Sequence, residues 1–440
     1  MMRFKRFLHE NQFTARILSV FSSNPVYRGA MVIGSGTVLA QLIGILTLPI
    51  ITRIYDPTEM GILAVYSSIL SIAVITATLK YDFSYILPEK EEAATNIFAL
   101  CIILLTLTSI AFSLVVIFAG DLLVNLLGLD SLGQYYWLLI PGFIGAGLYS
   151  ILNHWAIRKR DYRRITYTRI NQSASGAFSK IVLGLLSIGP IGLILGHIVS
   201  QVAGIGTLGK AMWKTERKNL RYISTSGIRS VAKEYWTFPA FNLPASLVNT
   251  LSFQLPTLFL MALYDSHIVG LYALAYSLLI LPASLISTSI GQAYIGEVSK
   301  MVRERSSGLR ELYLKTVKHL ALVAIPTVSA LAIVAPFLIP LVFGSEWADA
   351  GLLAIPLAIM MIPQFVVSPT TCLTIYGYNH WTLIWDITRV GGVIISFYIS
   401  QYLGFSVIIT LAFYAIVMLV MYIVNIGLNL MAISRLSSKM

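Results

Sequence analysis

Charged side chains are scarce in this sequence. Asp, Glu, Lys and Arg together make up 11% of the 440 residues, whereas 57% of the residues are hydrophobic. A chain of this length that folds in water needs more polar side chain than this to cover its surface. The composition therefore excludes a water-soluble globule and predicts a protein that lies in a lipid bilayer.

Cysteines and the familiar motifs of cofactor binding are nearly absent as well. The two cysteines, Cys101 and Cys372, lie in apolar runs, so we expect small buried side chains and no disulfide. The glycines within 33–36 lack the further glycine of a nucleotide loop, and no Walker loop occurs. His154 and His197 have no metal-ligand neighbours in the sequence, and we interpret both as packing or interfacial residues. We therefore expect no cofactor, no metal site and no ATP hydrolysis by this chain.

The first 28 residues alternate basic and apolar positions and lack an unbroken apolar stretch before a small-residue cleavage site. This pattern is not that of a cleavable signal peptide. We interpret 1–28 as a basic amphipathic segment that lies on the anionic inner leaflet.

Apolar runs of about 20 residues, the length that crosses a bilayer, recur along the chain. We predict twelve such spans, at 29–51, 60–79, 94–119, 134–157, 165–187, 190–211, 236–263, 267–293, 317–343, 350–376, 381–400 and 405–432. The fold class is therefore an all-α polytopic membrane protein. Its predicted parts are an N-terminal half (29–211), a basic cytoplasmic linker (212–235), a C-terminal half (236–433) and a short tail (434–440).

Basic residues are distributed unevenly over the two sides of these spans. Of the 31 Lys and Arg residues, 28 fall on one side. Arg53 falls on the other side, and Lys180 and Arg389 fall within spans. Because loops rich in Lys and Arg stay in the cytoplasm, both termini are predicted to be cytoplasmic. The net charge of +12 is then a signal of orientation, and we expect no nucleic-acid partner.

A short frame occurs twice in the sequence. Tyr55, Asp56 and Gly61 recur as Tyr264, Asp265 and Gly270, each 209 residues later and each after the first span of its half. We therefore predict two parallel six-helix repeats in the same orientation, with a cavity on the midline between them.

Ionisable residues within spans are energetically costly and usually functional. Arg169 and Lys180 share a polar face of span 5 with Ser173 and Gly176, whereas Asp386 and Arg389 are spaced to pair on span 11. Alternatives stay open for each: Lys180 near the outer surface is also compatible with a side chain that reaches the headgroups, and the Asp386–Arg389 pair with a purely structural role. For Arg53, near the outer surface, the alternative is a structural side chain that reaches the headgroups.

Neutral polar stripes are the second kind of candidate site. Asn242, Ser246 and Asn249 share one face of span 7, and Thr37 with Gln41 gives a weaker equivalent on span 1. Three tyrosines offer amphipathic surface for sugar rings: Tyr66, Tyr272 and Tyr276. Hydrogen bonding between helices is the alternative role of the Asn and Ser stripe.

Several stretches together resemble one family of membrane proteins. They are LAQLIGILTLPIITRIYDPTEMG, LKYDFSYILPEKEEAA, FNLPASLVNTLSFQLPTLFL, VGLYALAYSLLILPASLI, FGSEWADAG and LIWDITR. They are similar to the Wzx-type polysaccharide-repeat flippases, which belong to the multidrug/oligosaccharidyl-lipid/polysaccharide (MOP) exporter superfamily. The likeness extends from about residue 29 to 430 as a pattern of many loose positions.

The resemblance implies a two-lobed fold of twelve helices, like that of multidrug and toxin extrusion (MATE) transporters, in the bacterial inner membrane. It implies movement of undecaprenyl-pyrophosphate-linked oligosaccharide, such as an O-antigen repeat unit, from the cytoplasmic to the periplasmic leaflet by alternating access. H+ or Na+ is then a possible coupling ion, and a polysaccharide polymerase and a chain-length regulator are possible partners. The candidate residues for the substrate are Arg53, Arg169, Lys180, Arg389, Asn242, Asn249 and Gln41; those for ion coupling are Asp386 and, second, Asp82.

Three other functions are compatible with a polytopic chain. A drug exporter of the same superfamily would need acidic groups in its cavity to attract cationic drugs, and a lipid II flippase usually has further helices. A membrane glycan polymerase or ligase would need a large outward loop, and the loops predicted here are short. We therefore expect a transporter and not an enzyme.

Overall fold

Every regular element in the described part of the chain is a helix. The computed structural model describes residues 25–437, with their side chains except those of 25–33, 130, 283, 285–289 and 292. The predicted amphipathic segment therefore lies outside the described residues, apart from the backbone of 25–28, which begins the first helix.

The α-helices follow one another along the chain. They are α1 (Pro25–Ile54), α2 (Pro57–Val74), α3 (Tyr81–Ser84), α4 (Glu91–Leu126), α5 (Leu139–Arg158), α6 (Tyr162–Leu185), α7 (Pro190–Val202), α8 (Ile205–Glu216), α9 (Thr225–Glu234), α10 (Leu243–Leu263), α11 (Ser266–Arg303), α12 (Leu309–Phe343), α13 (Ala348–Thr370), α14 (Asn379–Tyr402) and α15 (Val407–Ser437). One π-helical turn, Phe238–Asn242, leads directly into α10.

Helices occupy all of the predicted spans, although the spans are not equally apolar. Ten of the described segments have the length and hydropathy needed to cross a membrane. The other two predicted spans coincide with α6 and α11. The helix α6 carries the polar stripe from Arg169 to Lys180, and the apolar part of α11 among the described residues is Ser266–Pro282.

The sixth predicted span is divided in the structure. It consists of α7 and α8, which are separated at Ala203 and Gly204. Gly204 lies against Tyr149 of α5, and a Cβ atom at this glycine would be 2.5 Å from the tyrosine ring. The predicted linker boundary at 211 therefore falls inside α8, and the linker itself contains α9.

The repeated frame has the same local structure in both halves. The Asp56 carboxylate accepts a hydrogen bond from the backbone N–H of Glu59 and caps α2, and Asp265 does the same for Ile268 and α11, both at 2.8 Å. An aspartate is a preferred N-cap because it accepts from the unpaired N–H groups of the first turn. We call the end of the bundle that carries Asp56 and Asp265 the outer end and the opposite one the inner end.

The two glycines of the frame bring the halves together at the outer end. A Cβ atom at Gly61 would lie 1.8 Å from the Ser266 carbonyl oxygen, and one at Gly270 would lie 1.8 Å from that of Pro57. Because no side chain fits in such a space, α2 and α11 cross backbone to backbone here. Near this crossing, the indole of Trp347 donates to the Thr52 carbonyl at 3.0 Å.

Candidate functional site

A cavity of about 580 Å³ lies between the two halves, on the inner side of the glycine crossing. Its α2 wall contains Ala64, Ser67 and Ser68, and its α11 wall contains Ala273, Tyr276 and Ser277. Each member of the second set follows its counterpart by 209 residues, which is the offset of the repeated frame. The cavity therefore lies where the repeat predicts it, on the midline, and α10 and α13 complete its wall.

The side chains that line this cavity are neutral and polar. Besides the two serines of α2 and Ser277 of α11, its aliphatic hydroxyl and amide groups come from Thr250, Gln254, Thr257, Gln364 and Ser368. Among the described side chains, no Asp, Glu, Lys or Arg lines it. Such a wall offers hydrogen-bond donors and acceptors in similar numbers, as hydroxyl-rich uncharged groups require.

Aromatic rings form the rest of the wall. Phe253, Tyr272 and Tyr276 line the cavity, so two of the three tyrosines predicted to face sugar rings do lie there. Tyr66 does not: it is fully buried, and its hydroxyl donates to the Leu138 carbonyl at 2.9 Å.

Arg389 lies behind Phe253 and does not line the cavity. Its guanidinium is 4.6 Å from the centre of the Phe253 ring and 4.4 Å from that of Trp385. Its Nη2 donates to Asp386 Oδ1 at 2.9 Å, as the spacing of the two residues predicts, and the side chain is only 2% exposed. The Nε atom is buried without a hydrogen-bond partner among the described residues.

The predicted stripe on span 7 reaches this ion pair at one point. The Asn249 amide donates to Asp386 Oδ1 at 3.4 Å, and Asn249 itself remains exposed. Asn242 ends the π-helical turn and is also exposed. The same face of α10 continues to Thr250 and Phe253, so the stripe leads from the inner end towards the cavity.

In the N-terminal half, the polar face of α6 packs against α1. The Arg169 guanidinium donates to the Thr37 hydroxyl, and the Ser173 hydroxyl donates to the Ala40 carbonyl at 2.6 Å. Gln41 follows on α1 and is partly buried. These contacts connect the two polar stripes that the sequence predicts separately.

Lys180 lies further towards the outer end on the same helix. Its backbone carbonyl accepts from the Tyr55 hydroxyl at 2.9 Å, and its side chain lies against Gly196 of α7. The side chain is partly buried, and no described carboxylate lies within ion-pair distance of its ammonium group. Lys180 thus lies within the N-terminal half, with its charge not neutralised by a described acid.

Arg53 lies at the outer end, outside the cavity. The side chain is exposed, and its Nη2 donates to the carbonyl of Leu341 at 3.3 Å near the end of α12. A cation at the C-terminus of a helix interacts favourably with the unpaired carbonyls of the last turn. This contact joins α1 to the C-terminal half.

Asp82 lies near the inner end in a compact polar cluster. Its carboxylate accepts from the hydroxyls of Thr78 at 2.7 Å and Ser150 at 2.6 Å, and His154 Nδ1 lies 3.3 Å away. Burial alone would raise the pKa of Asp82, but the hydrogen bond and charge of His154, with the two hydroxyl groups, lower this pKa to about 2. A second cavity, of about 90 Å³, is lined by Thr78, Lys80, Asp82 and Ser150.

The contact between His154 and Asp82 was not predicted, because the two residues are far apart in the chain and no helical spacing or repeat offset relates them. The offset of the repeat could have identified other residues of the cavity wall. Ser67 and Ser68 precede Tyr276 and Ser277 by 209 residues, so the offset could have pointed to α2. Phe253 continues a polar stripe that was recognised only as far as Asn249.

Comparison with known proteins points to polysaccharide synthesis. A family described as "Polysaccharide biosynthesis protein" matches residues 50–352. "Teichuronic acid biosynthesis protein TuaB" of Bacillus subtilis (strain 168) is 27% identical over 53% of this chain and 48% of its own length. "Lipopolysaccharide biosynthesis protein WzxC" of Escherichia coli (strain K12) is 22% identical over 71% of this chain and 62% of its own length. The chain thus matches between 48% and 62% of the length of these relatives.

Solved structures agree on the fold. A multidrug resistance MATE family transporter of the MOP superfamily, in an inward-facing conformation, matches with a TM-score of 0.62 and 16% identity. The match covers 92% of this chain and 96% of the transporter. At this identity the likeness concerns the fold alone.

Proposed function

Because this chain belongs to the polysaccharide biosynthesis protein family, we propose that it moves an undecaprenyl-pyrophosphate-linked oligosaccharide from the cytoplasmic to the periplasmic leaflet. Its resemblance to polysaccharide flippases of the MOP superfamily is confirmed. The chain is a multi-pass helical membrane protein. Polysaccharide transport, the lipid-linked substrate and the direction of movement are the proposal.

The midline cavity is the observation that carries the proposal. Sugars are uncharged or weakly charged rings whose hydroxyls need hydrogen-bond partners and whose C–H faces pack on aromatic rings. A wall of Ser, Thr and Gln with Phe253, Tyr272 and Tyr276 offers both. A cationic drug would instead favour an acidic wall, which the described residues do not form.

The cations of α6 provide the second part of the proposal. A pyrophosphate loses its hydration in a membrane, and fixed cations with hydroxyl donors replace the lost interactions. Arg169 and Lys180 are eleven residues apart, about 16 Å along the helix, so one pyrophosphate contacts them in succession and not together. In this proposal Gln41, Asn242 and Asn249 bind the glycan, whereas Arg389 and Arg53 support the fold around it.

We further propose twelve spans in two six-helix lobes, with both termini in the cytoplasm of a bacterial inner membrane. Rocking of the lobes would open the cavity to each side in turn, and the glycine crossing would close its outer end. An ion gradient would drive the cycle, with Asp386 or Asp82 as the coupling acid. The proposal includes no catalysis by this chain. The chain would supply a polysaccharide polymerase with its substrate.

The test is made in the native host. The gene is deleted, lipid-linked oligosaccharides are labelled, and both their amount and the leaflet that holds them are determined. The proposal predicts that single repeat units accumulate on the cytoplasmic leaflet and that surface glycan is lost. Plasmid copies of the wild type and of Gly391→Ala, a position where a Cβ meets nothing within 4 Å, should both restore export.

Two outcomes would contradict the proposal. If single repeat units reach the periplasmic leaflet but stay unpolymerised, the chain acts as a polymerase or ligase and not as a flippase. If the glycans are unchanged, the substrate belongs to another class.

A further inference from the structure

The strongest site outside the substrate path is the polar cluster at the inner end of the N-terminal half, which contains the candidate coupling residue Asp82. Asp82 is 4% exposed and His154 is 8% exposed, so both ionisable side chains are buried. Buried ionisable groups in a cluster with a common hydrogen-bond network are frequently functional. The cluster lies outside the midline cavity, and the substrate path proposed above does not use it.

The neighbours of the His154 ring indicate which of its nitrogen atoms carries a hydrogen. His154 Nδ1 lies 2.9 Å from the Ser150 carbonyl oxygen and 3.3 Å from Asp82 Oδ2. Both partners are acceptors, so Nδ1 carries a hydrogen and Nε2 is the position that takes a second proton. The Asp82 carboxylate is held ionised by its three donors, and it stabilises the resulting imidazolium.

The cluster suits a proton better than a metal cation. Both Asp82 oxygens already accept hydrogen bonds, and the described residues contain no group of three or more His, Cys, Asp or Glu side chains that could hold a metal ion. The other titratable groups that face Asp82 are the ammonium of Lys80 and the thiol of Cys101. A positive ammonium beside the carboxylate disfavours a bound Na+ or Ca²⁺.

A small cavity and a strained turn lie beside the cluster. The cavity of about 90 Å³ beside Asp82 has room for water and is lined by Lys80 and Ser150. Leu79 and Lys80 both have positive φ, 49° and 65°, in the turn between α2 and α3. Left-handed residues other than glycine are strained and cluster at functional sites.

The cluster is physically joined to the start of the C-terminal half. Tyr81, next to Asp82, donates its hydroxyl to the Ala232 carbonyl of α9 at 2.9 Å. The one-turn helix α3 also packs against the π-helical turn Phe238–Asn242, which continues into α10 and the wall of the midline cavity. π-helical turns often mark functional sites, and this one is a suitable hinge.

We propose that Asp82 and His154 form a proton-binding site, and that loading of His154 Nε2 changes how α3 holds the start of α10. The proton site stands on its own geometry, whereas its role in driving transport rests on the function proposed above.

The proton site is tested by nuclear magnetic resonance of histidine-labelled full-length protein in nanodiscs, without any glycan substrate. His154→Gln assigns the signal of this ring. We expect the His154 ring signals to change with pH as Nε2 takes up a proton, and Asp82→Asn to move the midpoint of that change to lower pH because the opposite charge is lost. Asp161→Asn, which removes a carboxylate from the same end of the bundle, is the control and should leave the midpoint unchanged. A His154 signal without titration, or one indifferent to Asp82→Asn, would overturn the proposal.

The link to α10 is tested by spin-label distances between Lys90→Cys and Thr237→Cys, two exposed positions of which the second directly precedes the π-helical turn that leads into α10, with the native cysteines replaced by alanine. We expect the distance distribution of the wild type to change with pH and that of His154→Gln to stay constant. Equal pH responses in both would overturn the link. Because neither measurement uses a glycan, failure of the proposed function would not affect either result.

Discussion

The fifth predicted span of each half carries a cation, and the two cations have different surroundings. Arg389 on α14 lies 209 residues after Lys180 on α6, the offset of the repeated frame. Arg389 is paired with Asp386, whereas the position that precedes Asp386 by 209 residues is Ala177, so Lys180 has no acid three residues before it. A described acid thus neutralises the cation of the C-terminal half, whereas no described acid pairs with the cation of the N-terminal half.

The largest expected effect is on stability, and it should separate the two cations. Arg389→Met leaves the Asp386 carboxylate buried without its partner, and we expect a loss of about 3–5 kcal/mol in unfolding free energy. No described acid pairs with Lys180, so Lys180→Met leaves none without a partner. The stability of this variant should therefore stay close to that of the wild type. Chemical unfolding of the purified variants in detergent measures both. Equal losses would contradict the comparison, and the double variant Asp386→Asn/Arg389→Gln should recover part of the loss.

The second prediction concerns the feature that the halves share. Gly61→Val and Gly270→Val each place carbon atoms against a backbone carbonyl, and overpacking of this kind costs about 1–3 kcal/mol. This cost disfavours the state in which the outer ends are closed by roughly 5- to 150-fold. Spin-label distances across the outer end should be longer in a fraction of the molecules, and this fraction should be similar in both variants. Gly391→Val, at a glycine with open space, is the control, and an effect at only one of the two frame glycines would refute a symmetric crossing.

The third prediction tests Asp82, which has no acidic counterpart in the C-terminal half because Gly291 lies at the equivalent position. The pKa of Asp82 is lowered from 3.8 to about 2, so its ionised form stabilises the folded chain above the unfolded pKa, by about 2 kcal/mol. Asp82→Asn should lose this amount near neutral pH. The difference between wild type and variant should shrink as the pH falls from about 4 towards 2, and a difference that persists unchanged there would contradict the assignment.

The smallest expected effect of a charge on stability comes from copying the pair of one half into the other. Ala177→Asp places a carboxylate three residues before Lys180, and such a pair contributes about 0.5 kcal/mol or less. Because Ala177 is buried, the packing cost of the larger side chain is shared by Ala177→Asn and cancels in the comparison of the two variants. Transport by Ala177→Asp should nevertheless fall, because the ammonium of Lys180 is then neutralised as the guanidinium of Arg389 is by Asp386. Ala177→Asn has the same size without the charge and should transport normally. Equal transport by both variants would show that the charge of Lys180 is not used.

The sequence predicted the helices and the repeated frame because both depend on local chemistry. Apolar runs of bilayer length form helices, and Asp56 and Asp265 precede helices that they cap. The division between α7 and α8 was not visible, since the apolar run continues through Ala203. Tyr149 approaches Gly204 at this division, and a tertiary contact of this kind is not visible in a single sequence.

The candidate site was predictable to a smaller extent. The pair of Asp386 and Arg389 follows from helical spacing and is confirmed by its geometry. The contact of His154 with Asp82 depends on how α5 packs beside α3, and no periodicity in a single sequence reports such packing. The roles of Lys180 and Arg169 in binding remain predictions.

The most direct test of the account is the flipping rate of a defined undecaprenyl-pyrophosphate-linked oligosaccharide in proteoliposomes. The wild type and Lys180→Met are compared at equal protein content, with Arg303→Met, an exposed cation at the inner end, as the matched control. The account predicts that the wild type and the control accelerate flipping and that Lys180→Met is slower by about tenfold or more, the loss of about 1.4 kcal/mol of charge-assisted binding. Equal rates for the wild type and Lys180→Met would contradict the claim that the available cation of the N-terminal half carries the pyrophosphate.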